Sequence, residues 1–226
     1  MRDLYVKQLQ LGPMENFVYL VGAVGSRETA IIDAAWDIDV ALAAAAADGR
    51  QITHALVSHW HADHTNGLAP LLARQGLPIF CHKDDRPDLS SEVREEVTAL
   101  SGGETVQVGP LALRALHTPG HTPGSTTWHL AAPAAGAPGE AGAIFSGDTL
   151  FVNACGRCDL RGGDPALMFA SLRKLAALGD DVALYPGHDY GDVPVSSIAR
   201  EKAQNPYLSR LGQLESFVSL RMRPRS

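Results

Sequence analysis

An α/β fold is the expectation for this sequence, and three observations predict it. Short runs rich in Val, Ile, Leu and aromatic residues alternate with Ala- and Leu-rich stretches that favour helix. Five apolar runs lead into a residue type that binds metals, at Asp33, His59–His64, His121, Asp148 and His188. Open α/β architectures place their sites at such strand ends. The 226 residues, 45% hydrophobic and 19% charged, have the composition of an ordinary globular core. One domain over 1–226 is expected, with a short helical extension after about residue 190.

The elements follow in order. Leu4–Leu11, Asn16–Val21 and Thr29–Asp33 read as strands, punctuated by Gly12-Pro13 and by the turn around Gly25-Ser26. Ile38–Ala47 is a helix stopped by Gly49. A brief strand, Ala55–Ser58, runs straight into His59-Trp60-His61-Ala62-Asp63-His64. Asn66–Gln75 is helical and Pro78–His82 strand-like, and the polar run Asp85–Leu100 is expected to be helical. Thr105–Val108, Leu111–Leu116, Thr126–Leu130 and Ala143–Phe145 are strands, with Ala131–Gly142 a low-complexity hairpin loop. Pro165–Leu178 is a helix with Asp164 as its N-cap and Pro165 in its first turn. Val182–Tyr185 is a strand ending at Pro186-Gly187-His188; Ser196–Ala203 and Leu208–Leu214 are late helices.

Composition narrows the function. A net charge of −6 disfavours a broad nucleic-acid surface, which needs clustered positive charge. The longest apolar stretches, Phe17–Val21 and Ala41–Ala47, fall far short of the roughly 20 residues that cross a bilayer. Three cysteines and an N-terminus without an apolar signal region predict a reduced, cytoplasmic setting. The pair Cys155 and Cys158 has no second pair nearby, and loop packing is favoured over a zinc knuckle or redox pair.

The densest chemistry is His59-x-His61-x-Asp63-His64. In extended chain, residues i and i+2 point the same way, so His59 and His61 can grip one ion. Asp63 and His64 lie where a helix begins and can turn toward a second. Imidazole with carboxylate is a ligand set for Zn, Fe or Mn. His121, in Thr-Pro-Gly-His-Thr-Pro-Gly, Asp148, in Phe-Ser-Gly-Asp-Thr, and His188, in Tyr-Pro-Gly-His, continue the pattern. The remaining His54, His82, His117 and His129 are expected to be packed or solvated, His117 lying nearest the site in sequence.

In order and spacing, these motifs resemble the metallo-β-lactamase superfamily from about residue 15 to 190. The resemblance implies an αββα sandwich: two mixed sheets flanked by helices, with the site along one edge. It implies two divalent ions, zinc foremost with Fe or Mn as alternatives. His59, His61 and His121 would hold one, and Asp63, His64 and His188 the other. Asp148 and a hydroxide would bridge them, so Asp63 and Asp148 rank as the catalytic carboxylates. Asp33 would stand outside the ions, hydrogen-bonded to ligand side chains.

Within that superfamily, Gly147-Asp148-Thr149-Leu150-Phe151 and Cys155-Gly156-Arg157 resemble glyoxalase II. Asp33-Ala34-Ala35-Trp36-Asp37 and Phe217…Arg221-Met222-Arg223 resemble BaeB-like hydrolases. The implied activity is hydrolysis of a small-molecule or carrier-bound thioester. The basic cluster that holds glutathione in glyoxalase II cannot be mapped onto the residues after His188. The carrier stays open between glutathione and a phosphopantetheine-type thiol. Arg157 and Tyr190 are candidate substrate contacts, although Arg157 can equally pair with Asp159. A second resemblance competes. Gly156-Arg157-Cys158-Asp159, Tyr185–Tyr190 and Val195…Asn205-Pro206 resemble persulfide dioxygenases. Those use one Fe(II) on two His and one Asp: here His61 or His59, with His121 and Asp148. A reading of another class is a non-catalytic metal-binding interaction protein.

Overall fold

The computed structural model describes residues 4–132 and 142–223. The expected hairpin loop therefore lies mostly outside the described residues. Two six-stranded sheets face each other. The first runs β1(Leu4–Leu11), β2(Asn16–Ala23), β3(Glu28–Ile32), β4(Gln51–Leu56), β5(Ile79–His82), β6(Val97–Leu100), in sequence order. Its first three strands are antiparallel and the pairs from β3 to β6 are parallel. The second is built from β7(Thr105–Val108), β8(Leu111–His117), β9(Thr126–Leu130), β10(Ala143–Gly147), β13(Ala183–Pro186) and β14(Ser196–Ser197), in the order β14-β13-β10-β9-β8-β7. There β10 and β13 are parallel and the other pairs antiparallel. A small ribbon, β11(Leu150–Phe151) with β12(Ala154–Cys155), follows β10.

Three apolar layers result, and the period-2 alternation of strands explains them. Phe17, Tyr19 and Val21 of β2 point between the sheets, where they meet Leu56, Trp128 and Phe145. Val18 and Leu20 of the same strand point outward under α1(Ile38–Ala47) and α3(Leu68–Arg74). A strand covered on both faces needs apolar residues at every position, which is why β2 reads as a continuous run. On the far side, Ile144 and Leu184 pack under α5(Pro165–Ala176). There the Asp164 carboxylate accepts hydrogen bonds from the amides of Ala166 and Leu167, the expected cap.

Two expectations need correction. Asp85–Leu100 is not one helix. Pro87 sits in a short 3-10 turn, α4(Ser91–Arg94) is a single turn, and Val97–Leu100 pairs in parallel with β5 as an edge strand. Its charged composition suggested a solvated helix, but the backbone gained more from completing the sheet. Leu208–Leu214 is likewise only a 3-10 turn at Leu208–Arg210, and Gly212 separates it from α7(Leu214–Arg221). Together with α6(Ile198–Gln204), α7 closes the second sheet's outer face. Phe217 is fully buried there, edge-on to Phe169 and Tyr207. One further single turn, α2(Ala62–Thr65), carries Asp63 and His64. No helix among the described residues is long and apolar enough to cross a membrane.

Candidate metal centre

The candidate residues meet where the same ends of the two sheets open. Sheet one contributes the loop after β4 and the turn α2. Sheet two contributes the β8–β9 loop with His121, the end of β10 with Asp148, and the end of β13 with His188. The seven fall into overlapping groups: His59, His61 and His121; His59, His64 and Asp148; Asp63, His64 and His188. Within the first, His61 Nδ1 lies 3.0 Å from His59 Nε2 and 2.9 Å from His121 Nε2. Within the last, His64 Nε2 lies 3.1 Å from His188 Nε2, and Asp63 Oδ2 lies 3.4 and 3.5 Å from those two nitrogens. Asp148 faces both groups. Its Oδ2 is 3.5 Å from His121 Nε2, while its Oδ1 is 3.4 Å from His64 Nε2 and 3.5 Å from His188 Nε2.

The outer ring nitrogens have partners of their own. His121 Nδ1 donates to the Arg157 carbonyl at 2.9 Å, and His188 Nδ1 to the Met14 carbonyl at 2.8 Å. His64 Nδ1 donates to Asp33 at 3.0 Å, and His59 Nδ1 lies 2.9 Å from the Ser58 hydroxyl. Such bonds fix the tautomer and leave the inner nitrogens as acceptors, the usual support for metal-binding histidines. Asp33 is the hub. It sits at φ 57°, a left-handed conformation rare outside glycine, and also accepts from the Ser58 amide and hydroxyl at 2.7 and 2.6 Å.

The donor set fits divalent cations. Lone pairs about 3 Å apart and aimed at one another repel unless positive charge lies between them. Asp148 Oδ1 is buried without a hydrogen-bond partner. Burial opposes charge on His64, but Asp148, Asp33 and Asp63 outweigh it and raise the imidazole to about 9, so this half of the centre draws positive charge, and a bound cation would take the place of the proton on Nε2. Burial and neighbouring imidazoles, with Asp148 and Asp63 opposing, push His61 down to about 4 and keep its nitrogen available to a metal. For Asp148, burial opposes ionisation, but His64, His188 and His59 draw it well below the ordinary carboxylate value. Gly187 makes room for this carboxylate, since a Cβ there would meet Asp148 Oδ1 at 2.5 Å.

Several contributors were not legible in the sequence. Asn16 Nδ2 donates to Asp63 at both its carbonyl and its Oδ2, 3.0 Å each, while Asn16 Oδ1 accepts from Trp36 Nε1 at 2.8 Å. The Trp36 motif thus reaches the centre through Asn16. Asp85, fully buried, accepts from the Trp60 amide at 3.1 Å, the Thr122 hydroxyl at 2.6 Å and the Gly124 amide at 2.6 Å. Burial pushes it up to about 6 despite these three donors.

Of the other candidates, Arg157 is paired with Asp159 through two 2.9 Å bonds, and Tyr190 stacks on His188 at 4.6 Å. Trp60 packs edge-on against His61. His117 bonds no candidate ligand; it stacks on His82, and its Nε2 donates to the Pro123 carbonyl at 2.8 Å. Those two rings are nearly parallel, at 14°, and with Asp84 they form a further His/Asp group. Parallel rings aim their lone pairs side by side, which suits one shared ion poorly. Cys155 and Cys158 are buried, free and pushed up to about 12 by that burial, as loop packing requires.

The centre opens into a cleft of about 790 Å³, walled by Met14, Phe151, Tyr190 and Tyr207 on its apolar side. Arg221 and Arg223 line its outer part, with Arg157, held by Asp159, beside them. Residues 11–188 match the family model described as the metallo-beta-lactamase superfamily. The chain belongs to that superfamily. It is 35% identical over 218 residues to a hydroxyacylglutathione hydrolase of Anaeromyxobacter dehalogenans, covering 93% of this chain and 76% of that one. The solved structure of ETHE1 from Myxococcus xanthus superposes with a TM-score of 0.82 at 30% identity, over 98% of this chain and 92% of that one. TTHA1623, solved in a di-iron-bound form, superposes with a TM-score of 0.72 at 29% identity, over 90% of this chain and all of that one. The expected fold, two mixed sheets flanked by helices, is thus the fold observed.

Proposed function

We propose that this protein is a dinuclear metal hydrolase that cleaves thioesters, with zinc as its resident ion. One observation carries the reading: two groups of inward-facing His and Asp atoms share Asp148, which turns a different oxygen to each. The similarity to hydroxyacylglutathione hydrolase over most of the chain supports the thioester. His59, His61 and His121 would hold one ion, Asp63, His64 and His188 the other, with Asp148 between. When bound, such ions lower the pKa of a coordinated water toward about 7 and polarise a carbonyl.

The chain's own residues do the rest. Asp33 and the Arg157 and Met14 carbonyls keep the imidazoles in the tautomers that face inward. Phe151, Tyr190 and Tyr207 give the acyl group an apolar surface to lie against. Arg221 and Arg223 on the cleft wall favour a thiol that carries negative charge, whether the carboxylates of glutathione or the phosphate of a phosphopantetheine arm. A thiol with a free pKa of about 8.5 leaves as its thiolate, so no strong general acid is needed. An amide would need one, and none stands in these motifs.

A second reading has its own support. His61 or His59, with His121 and Asp148, also makes a His, His, Asp triad for one Fe(II), and the ETHE1 structure is similar over nearly the whole chain. This is the persulfide dioxygenase alternative. Metal analysis of protein purified without added metal, combined with two assays, separates the readings. About two zinc per chain, acyl-thioester turnover and collapse of that turnover in Asp63→Ala are expected. Oxygen uptake with glutathione persulfide at one iron per chain, surviving Asp63→Ala, would replace the hydrolase by the dioxygenase.

A further inference from the structure

We infer that Asp85 is a positioning residue: it clamps the His59–His61 loop to the His121 loop and so sets the spacing of the His59, His61 and His121 half of the centre. The inference rests on the metal-centre reading above but on neither choice of reaction, since both place an ion on this half.

Asp85 belongs to neither loop. It lies in the turn after β5, where its amide donates to the His82 carbonyl at 3.1 Å. From there one carboxylate oxygen accepts from the Trp60 amide, between His59 and His61, and from the hydroxyl of Thr122, next to His121. The other oxygen accepts from the Gly124 amide, three residues beyond His121. Each carboxylate oxygen faces a backbone N–H, which can only donate, so acceptors are required on both sides; a carboxylate meets this and an amide does not. The fit is close, because a Cβ at Gly124 would stand 2.6 Å from the Asp85 carboxyl carbon.

A second contact joins the same segments. His82, ending β5, stacks on His117, ending β8, at 4.0 Å. The turn after β5 is thereby docked on the strand that leads to His121. No cation pairs with Asp85 among the described residues, so its desolvation is offset only by these three bonds. A charge kept under those terms, touching both loops and no imidazole, is placed to hold backbone against backbone. Asp33 works differently: it bonds His64 directly and reaches His59 through Ser58.

The test is a zinc titration of the metal-stripped full chain, followed ring by ring through nitrogen-15 spectra of the histidines. Asp85→Asn keeps the size but turns an N–H toward a donor. In that variant the midpoints for His59, His61 and His121 should rise roughly 10–100-fold, the cost of losing an outer partner. Those of His64 and His188 should stay within about twofold of wild type. Thr122→Val removes one arm only and should weaken the His121 response by several-fold, which keeps the inference testable should Asp85→Asn fold poorly. Five rings shifting together, or none shifting, in folded Asp85→Asn would overturn it. If the wild-type rings ignored zinc, the metal-centre reading would fail first, and this inference with it.

Discussion

The two sheets reach the same centre by opposite routes. Sheet one delivers four candidate ligands, His59, His61, Asp63 and His64, from one six-residue segment after β4. Sheet two delivers three, His121, Asp148 and His188, each from a different strand end. The first half is set by local chain geometry. The second depends on how β8, β10 and β13 lie beside one another, and on stitches between the sheets at this end. Phe17 N–H bonds the Gly187 carbonyl at 2.8 Å, the Tyr19 hydroxyl bonds the Pro186 carbonyl at 2.6 Å, and Thr126 N–H bonds the Ser58 carbonyl at 2.8 Å. A centre divided this way forms only when the sandwich has closed.

Asp148 ties the two halves together, turning Oδ2 toward His121 and Oδ1 toward His64 and His188. Asp148→Ala should abolish the second metal equivalent and cut thioester turnover about 10³-fold, equivalent to about 4 kcal/mol. Metal content and steady-state rates at fixed zinc check this. Retention of both ions would mean the halves do not share it.

The brace from the β5 turn offers a test by pH. Burial raises the native Asp85 carboxyl to about 6, above its ordinary 3.8. Between those values the native state holds a proton that the unfolded chain has released. This group's stabilising contribution is therefore complete below about pH 4 and is lost as pH rises through 6. Asp85→Asn should remove that downward slope, worth up to roughly 3 kcal/mol, in urea melts compared at matched pH. Parallel curves for the two proteins would count against the raised value.

Asp33 braces sheet one's own segment. Asp33→Ala should weaken metal binding by roughly 10–100-fold, with His64 and His59 the rings most affected. Unchanged affinity in a competition titration would reduce Asp33 to a strand terminator. The smallest effect belongs to the most remote link. Trp36→Phe deletes the Nε1–H bond to Asn16 together with part of the indole's packing over Gly12 and should cost about 1–2 kcal/mol in stability, with a modest rise in the metal midpoint for Asp63 and His188.

Legibility followed the same division. Asn16–Val21, Ile38–Ala47 and the capped helix at Asp164 are readable because their signals are local: a short apolar run, Ala-rich composition, a cap before proline. Val97–Leu100 was misread because a strand at a sheet's edge is made by its neighbour, here β5, and its own four residues carry little period. The ligand candidates could be named because imidazole and carboxylate at strand ends are a chemical pattern. Asn16 and Asp85 could not, because neither sits in a motif and each acts on residues distant in sequence. In the sequence Arg221 and Arg223 carry no sign of a site; α7 folding onto the second sheet's outer face brings them to the cleft.

Nearest neighbours in the chain impose the α/β alternation, the strand-end ligand chemistry and the histidine-rich loop, and these could be read from residue order. Tertiary structure alone decided that His121, Asp148 and His188 face that loop, that Asp148 turns one oxygen to each group, and that Asp33 and Asp85 brace it. The physical reason is range. Dihedral preference and side-chain alternation act over a few residues, whereas lone pairs held 3 Å apart need rigid elements from both sheets, locked by burial and by hydrogen bonds between them.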